Sequence, residues 1–147
     1  MAANHHGTLV LTGDRGVFIT GAPGMGKTTL ALALLRHCAA CGRLGRFVSD
    51  DQVFISGAGG RLVGRAAPAI HGLAEARGFG PAPVSYEMAA VIDLVIELVP
   101  ADQAPRYQEA GTVRLEGVDL PTLRLAECNA DSAIWAIAAQ LSLPPFG

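Results

Sequence analysis

The clearest chemistry in this sequence lies in a glycine-rich loop. It contains Gly21, Ala22, Pro23, Gly24, Met25, Gly26, Lys27, Thr28 and Thr29. The loop fits the pattern G-x-x-x-x-G-K-[ST], in which glycines let backbone N–H groups turn inward onto phosphate oxygens. We expect Lys27 to reach the β- and γ-phosphates of a nucleotide, and Thr28 to present its hydroxyl to Mg²⁺. The pattern therefore predicts a site for nucleotide phosphates.

The elements on either side of the loop are those that a phosphate site of this kind requires. The apolar run 16–20 predicts a strand that leads into the loop. The Ala- and Leu-rich run 26–40 predicts a helix that leaves it, and a helix N-terminus favours bound anions. Residues 8–11 and 16–20 are separated by turn residues, so they predict a hairpin.

Two neighbouring carboxylates, Asp50 and Asp51, follow the short predicted strand 46–49. One could accept a proton from an attacking hydroxyl, and the other could bind Mg²⁺ directly or through water. The alternative is a solvated acidic turn. Asp93 competes for the metal role, since it follows an apolar run as a metal-binding aspartate of a phosphate-loop protein would.

An acid and a cation, Glu75 and Arg77, precede a Gly- and Pro-rich stretch, 78–83, for which we predict no regular structure. Pro68 predicts a short helix over 68–76 that ends near them. The pair suits a metal ligand and an anion clamp. The alternative is a helix C-cap in which Arg77 complements the helix dipole.

The rest of the chain predicts an α/β domain with a mixed sheet. We expect a hairpin over 53–56 and 61–63, a central strand over 91–99, a hairpin turned at 116–117, and a closing helix over 131–141 capped by Asn129 or Asp131. The length of 147 residues predicts one domain spanning 1–147.

Composition excludes several classes of protein. The net charge is −2 and no run of Lys or Arg could follow a nucleic-acid backbone, so we expect no nucleic-acid partner. No apolar run approaches the roughly 18 residues of a membrane span, so we expect no membrane partner. The cysteine count of three and the missing export signal predict a reduced, cytoplasmic protein. Cys38 and Cys41 lie near a predicted helix end, which favours structural thiols over a redox pair.

Taken together, these motifs resemble the catalytic domain of bacterial HPr kinase/phosphorylase. That family has a His-Gly start, a hairpin, a phosphate loop, a strand ending in Asp-Asp, and a glutamate followed by Arg-Gly-x-Gly. The chain offers His6-Gly7, the loop 21–28, Asp50-Asp51 and the run 75–80 in the same order. The resemblance extends over nearly the whole chain and is strongest from His6 to Gly80.

The resemblance implies a phosphate-loop α/β fold and an ATP- and Mg²⁺-dependent serine kinase that acts on HPr or an HPr-like phosphocarrier. Many members of the family also reverse the reaction by phosphorolysis. Carried onto this chain, Asp50 becomes the general base, with Asp51 supporting it and contacting the metal. Glu75 becomes a further metal contact. His6, which spacing alone would not single out, and Arg77 become members of the same site.

The sequence also departs from the family. It begins directly at the catalytic part, which suggests the short form found in alphaproteobacteria. Glu109 stands where a C-terminal arginine is usual, and an acidic residue there weakens the case for phosphorolysis and for the hexamer of the family. Two other functions stay open. One is a nucleotide-binding regulator without transfer, and the other is a small-molecule kinase, which would need lid arginines such as Arg61, Arg65 or Arg77.

Overall fold

The structure is a computed structural model that describes residues 2–68, 71–109 and 111–147. The elements in chain order are β1 Ala3–His6, β2 Thr8–Thr12, β3 Arg15–Thr20, α1 Lys27–Ala40, β4 Gly45–Ser49, β5 Gln52–Ala58, β6 Arg61–Ala66, β7 Leu73–Ala76, β8 Gly80–Pro83, β9 Ala89–Val99, a 3-10 turn Ala101–Gln103, β10 Thr112–Leu115, β11 Val118–Ala126 and α2 Ala130–Leu141.

The main sheet is mixed, as predicted, and β9 is its central strand. The strand order is β1-β5-β6-β9-β3-β2-β4, and β11 joins through β9 with β10 beyond it. The β3–β9 and β9–β11 pairs are parallel, whereas β6 pairs antiparallel with the first part of β9. The carboxyl ends of β3 and β11 therefore meet beside the carboxyl end of β9, where open sheets with parallel strands place their ligands.

Apolar side chains alternate along the strands and fill two cores, one on each face of the sheet. On β3, Val17 and Ile19 pack in the core that includes α1 and α2. Phe18, which points to the opposite face, packs in the second core with Leu9 and Ile92. Because a strand has a side-chain period of two, β3 is buried on both faces and holds the start of the glycine-rich loop rigidly.

Most of the predicted elements are confirmed. The hairpins β2–β3, β5–β6 and β10–β11 form, and the closing helix α2 begins after Asn129. The side-chain oxygen of Asn129 accepts a hydrogen bond from the Ser132 amide at 3.4 Å, so Asn129 is the cap.

The predicted helix over 68–76 is wrong where the structure describes it. Residues 73–76 form the strand β7, while residues 69 and 70 lie outside the described residues. The prediction of no regular structure over 78–83 is also wrong, because Gly80–Pro83 is the strand β8. β7 pairs antiparallel with β8, and buried Ala74 attaches this two-stranded sheet to the core. A tertiary contact thus overrides the local preference that Pro68 suggested.

Replacement of Gly16 by alanine is expected to lower the free energy of unfolding by about 3 kcal/mol, because overpacking a rigid site forces the backbone to move. A Cβ atom at Gly16 would clash with the carbonyl oxygen of Val91 on the neighbouring strand. Gly57→Ala is the matched control, since its Cβ would meet its nearest atom at 3.8 Å. Urea denaturation checks both variants, and equal midpoints would contradict the prediction.

Candidate functional site

The glycine-rich loop connects β3 to α1, and three of its glycines have positive φ angles. Gly24 and Gly26 have φ angles of 83° and 87°, a region that other residues rarely adopt. Gly26 is also the N-cap of α1 and supplies no side-chain oxygen to the first turn. The amides of that turn are therefore available to an anion, and the helix dipole adds to their attraction.

Lys27 lies against the loop that precedes it. Its Nζ donates hydrogen bonds to the carbonyl oxygens of Gly21 at 2.9 Å and Ala22 at 3.2 Å. The residue is 8% exposed, so the ammonium group is held at the floor of the loop. A cation fixed in this position can attract phosphate oxygens.

Asp50 is the centre of a hydrogen-bond network that joins three parts of the fold. Its Oδ1 accepts the hydroxyl protons of Thr28 at 2.7 Å and Thr8 at 3.0 Å. Its Oδ2 accepts the backbone N–H of Glu75 at 3.2 Å. Each carboxylate oxygen offers two acceptor positions, so the described residues fill both on Oδ1 and one on Oδ2. A further donor would bind at Oδ2.

Asp51 and His6 form a more exposed pair at the rim. Asp51 has a φ angle of 70°, and its carbonyl oxygen accepts the Gly7 amide at 3.1 Å. The Asp51 Oδ1 lies 3.4 Å from Nδ1 of His6, with both side chains at least half exposed. An exposed pair of this kind contributes at most about 1 kcal/mol to stability, so its arrangement is more informative for chemistry than for folding.

These residues share one open cleft of about 560 Å³, which we call the loop cleft. It is lined by His6, Pro23, Gly24, Gly26, Lys27, Thr28, Thr29, Asp50, Asp51, Glu75, Arg77 and Gly78. The structure thus brings together the carboxylates and the arginine that the sequence singled out and the histidine, His6, that only the family resemblance indicated. Gly21 and Ala22 contribute through their carbonyl contacts with Lys27 instead.

A second, smaller cavity of about 220 Å³ adjoins the loop cleft, and we call it the apolar pocket. The two cavities share Gly26, Thr29 and Arg77. The apolar pocket is further lined by Met25, Leu30, Leu98, Ala126, Cys128, Asn129, Ala130 and Ala133. A mostly apolar cavity beside a phosphate-binding loop has the properties of a site for a planar ring.

Cys128 and Thr8 are site residues that sequence reasoning missed. The Cys128 amide donates to the carbonyl oxygen of Met25 at 3.0 Å, and its thiol to that of Gly24 at 3.4 Å. Thr8 holds Asp50, as described above. The sequence carries no signal for the Cys128 contacts, because they join positions about a hundred residues apart. The contact between Thr8 and Asp50 could be predicted only from the pairing of β2 with β4, which the sequence does not show.

Two sequence-based alternatives are wrong. Asp93 accepts the Gly16 amide at 2.9 Å and lies 3.8 Å from Arg61, at the end of β3 opposite the loop. It therefore cannot serve the loop cleft. Arg77 does not cap a helix, because it follows β7 and precedes the turn at Gly78.

Glu109 does not line the loop cleft. It lines a separate depression with Gln108 and Gly111.

The three cysteines, which all lie in described segments, are free thiols. Burial, together with the neighbouring Cys41, raises the pKa of Cys38 above its ordinary value. A raised pKa keeps the thiol protonated and unreactive, which agrees with a structural role for Cys38.

Across the described segments, no helix is both long and apolar enough to cross a bilayer.

Comparison with known proteins identifies the family. The model of the HPr serine kinase C-terminal domain matches residues 1–128. HPr kinase/phosphorylase of Exiguobacterium sibiricum is 38% identical over 132 residues, which cover 82% of this chain and 40% of that protein. The Geobacter sulfurreducens protein of the same name is 34% identical over 132 residues, with the same coverage. The chain thus spans less than half the length of these relatives.

A solved structure supports the fold independently. The HPr(Ser) kinase/phosphatase of Coxiella burnetii superposes with a TM-score of 0.80, covering 95% of this chain and 96% of that one, at 21% identity. That likeness confirms the predicted α/β phosphate-loop fold with its mixed sheet. Because the family model covers most of the sequence, the chain belongs to the HPr serine kinase C-terminal domain family.

Proposed function

We propose that the chain is an ATP- and Mg²⁺-dependent kinase that phosphorylates a serine of HPr or of an HPr-like phosphocarrier. The observation that carries the proposal is the position of Asp50. Its carboxylate is hydrogen-bonded to Thr28 of the loop and faces the same cleft as Lys27, Glu75 and Arg77. A base within reach of a phosphate loop is what transfer to a hydroxyl requires.

The oxygens around Thr28 suit Mg²⁺, which prefers hard oxygen ligands and keeps several waters. We assign the Thr28 hydroxyl as its main protein ligand, with the carboxylates of Glu75 and Asp51 available in the same cleft. Among the described residues, no group of three or more His, Cys, Asp or Glu side chains forms a ready metal site. Nucleotide phosphates and water would supply the other ligands of the cation. When bound, Mg²⁺ would neutralise charge on those phosphates.

Asp50 is proposed as the general base. Thr28 and Thr8 occupy Oδ1, so Oδ2 is the oxygen that can accept the proton of the attacking serine. Asp51 would support this carboxylate electrostatically, with His6 beside it at 3.4 Å. Arg77 and Lys27 supply the positive charge that the transferred phosphoryl group needs.

The adenine ring of ATP is proposed to occupy the apolar pocket. This cavity begins where the loop cleft ends, and Arg77 lines both. A nucleotide could therefore extend from one to the other with its phosphates at the glycine-rich loop.

The free thiols agree with a reducing compartment, which supports the cytoplasm as the place of action.

The acceptor is inferred from the relatives, which are HPr kinase/phosphorylases. The purified chain, Mg²⁺ and γ-labelled ATP should transfer label to a serine of an HPr-type carrier. Label on the carrier that depends on Mg²⁺ would support the kinase and the acceptor together. ATP binding without any transfer would favour the regulator instead, and transfer to a small molecule would favour the alternative kinase.

A further inference from the structure

We propose that Thr8 is a positioning residue for Asp50, a role that rests on the proposed function for its catalytic consequence. Thr8 is the first residue of β2 and is fully buried, at 0% exposure. Its hydroxyl donates to Asp50 Oδ1 at 3.0 Å. A buried hydroxyl aimed at a carboxylate fixes both the position and the orientation of that carboxylate.

The pairing of β2 explains why Thr8 reaches Asp50. On one edge, Thr8 pairs with Ile19 of β3, just before the glycine-rich loop. On the other edge, Leu9 pairs with Ser49 at the end of β4. Thr8 therefore lies between the strand that enters the loop and the strand that delivers Asp50.

The three donors to Asp50 differ in how firmly the fold holds them. Thr28 belongs to the first turn of α1, directly after the loop that would adjust to a nucleotide. Glu75 belongs to the small two-stranded sheet outside the main one. Thr8 alone among these three lies in the main sheet, where it pairs with Ile19 of β3 and the next residue, Leu9, pairs with Ser49 of β4. It would keep Asp50 in place while the other two donors adjust.

The test is a set of three variants assayed with ATP and the phosphocarrier. Thr8→Val keeps nearly the same shape but leaves Asp50 one donor short. We expect kcat to fall about tenfold and KM for ATP to stay within about twofold, because the bond to a charged group is lost and the loop is intact. Thr8→Ser restores the hydroxyl and should recover at least about a third of kcat. Thr12→Val is the matched control.

Thr12 is a suitable control because it is a buried threonine of the same strand. It is 1% exposed, and its hydroxyl donates to the Arg15 carbonyl at 3.3 Å, at the far end of the hairpin. Thr12→Val should therefore leave kcat unchanged. A similar loss of kcat in both valine variants would overturn the proposal and indicate general damage to β2.

A second measurement needs no activity. The Glu75 amide donates to Asp50 Oδ2, so its hydrogen exchange, followed by NMR, reports where the carboxylate lies. In Thr8→Val we expect this amide to exchange about tenfold faster, and in Thr8→Ser and Thr12→Val at the original rate. Unchanged exchange in Thr8→Val would overturn the proposal. If the unaltered chain transfers no phosphate, the proposed function fails, and this exchange rate still decides whether Thr8 holds Asp50.

Discussion

Asp50→Asn is expected to slow phosphoryl transfer about a thousandfold while the affinity for ATP stays within about twofold. The amide oxygen of asparagine can still accept the hydroxyls of Thr28 and Thr8, so the nucleotide side of the site is kept. The amide nitrogen then faces the Glu75 N–H and cannot accept a proton. Single-turnover transfer and calorimetric titration with ATP measure the two quantities separately.

Asp93→Asn is the matched control for this experiment. It also removes one negative charge, in this case from β9 of the main sheet. The Asp93 carboxylate, however, lies at the Gly16 end of β3, away from the loop. Its transfer rate should stay within about twofold of that of the unaltered chain. Transfer at the ordinary rate by Asp50→Asn, or an equal loss in Asp93→Asn, would refute the assignment of Asp50 as the base.

Lys27→Ala is expected to weaken ATP binding at least about a hundredfold, because the loop loses its fixed positive charge and the charge-assisted hydrogen bonding of the ammonium group to phosphate. The loop also loses the bonds that the ammonium group makes to the Gly21 and Ala22 carbonyls. Lys27 is the one lysine in the sequence, so another lysine cannot replace it. Equilibrium dialysis with labelled ATP gives the affinity directly.

Arg36→Ala controls for net charge in that experiment. Arg36 is an exposed cation of the same helix, so its removal changes the charge of the protein equally without touching the loop. Its affinity for ATP should match that of the unaltered chain. If Lys27→Ala binds ATP as tightly as Arg36→Ala does, the loop is not the phosphate site.

Local rules were enough for the parts of this fold whose partners are close in sequence. The hairpins β2–β3 and β5–β6 have turn residues between two apolar runs, and α1 follows directly from the loop that begins it. The strand β7 could not be predicted in this way. Its conformation depends on its pairing with β8, on buried Ala74 and on the Glu75 bond to Asp50.

The residues of the candidate site also differ in whether a local sequence pattern could predict them. The phosphate loop was evident from its own residues, and the family resemblance drew attention to His6, which lies beside Asp51. In sequence, Asp93 competed with the Asp50-Asp51 pair for the metal role. Its position along β9 rules it out, because Asp93 lies beside Gly16, at the end of β3 opposite the loop. Thr8 and Cys128 join the site through contacts with residues far away in the chain, so no local pattern could indicate them.

The central position of β9 has a consequence for the order in which the protein can fold during synthesis. One edge of β9 takes β3, and the other takes β6 and β11. Until β9 has left the ribosome, β3 can pair only with β2, and its other edge is exposed with its apolar side chains. Non-local pairing of this kind slows folding and favours aggregation of the incomplete chain. A nascent chain that stops before residue 89 carries the whole phosphate loop without the strand that completes its support.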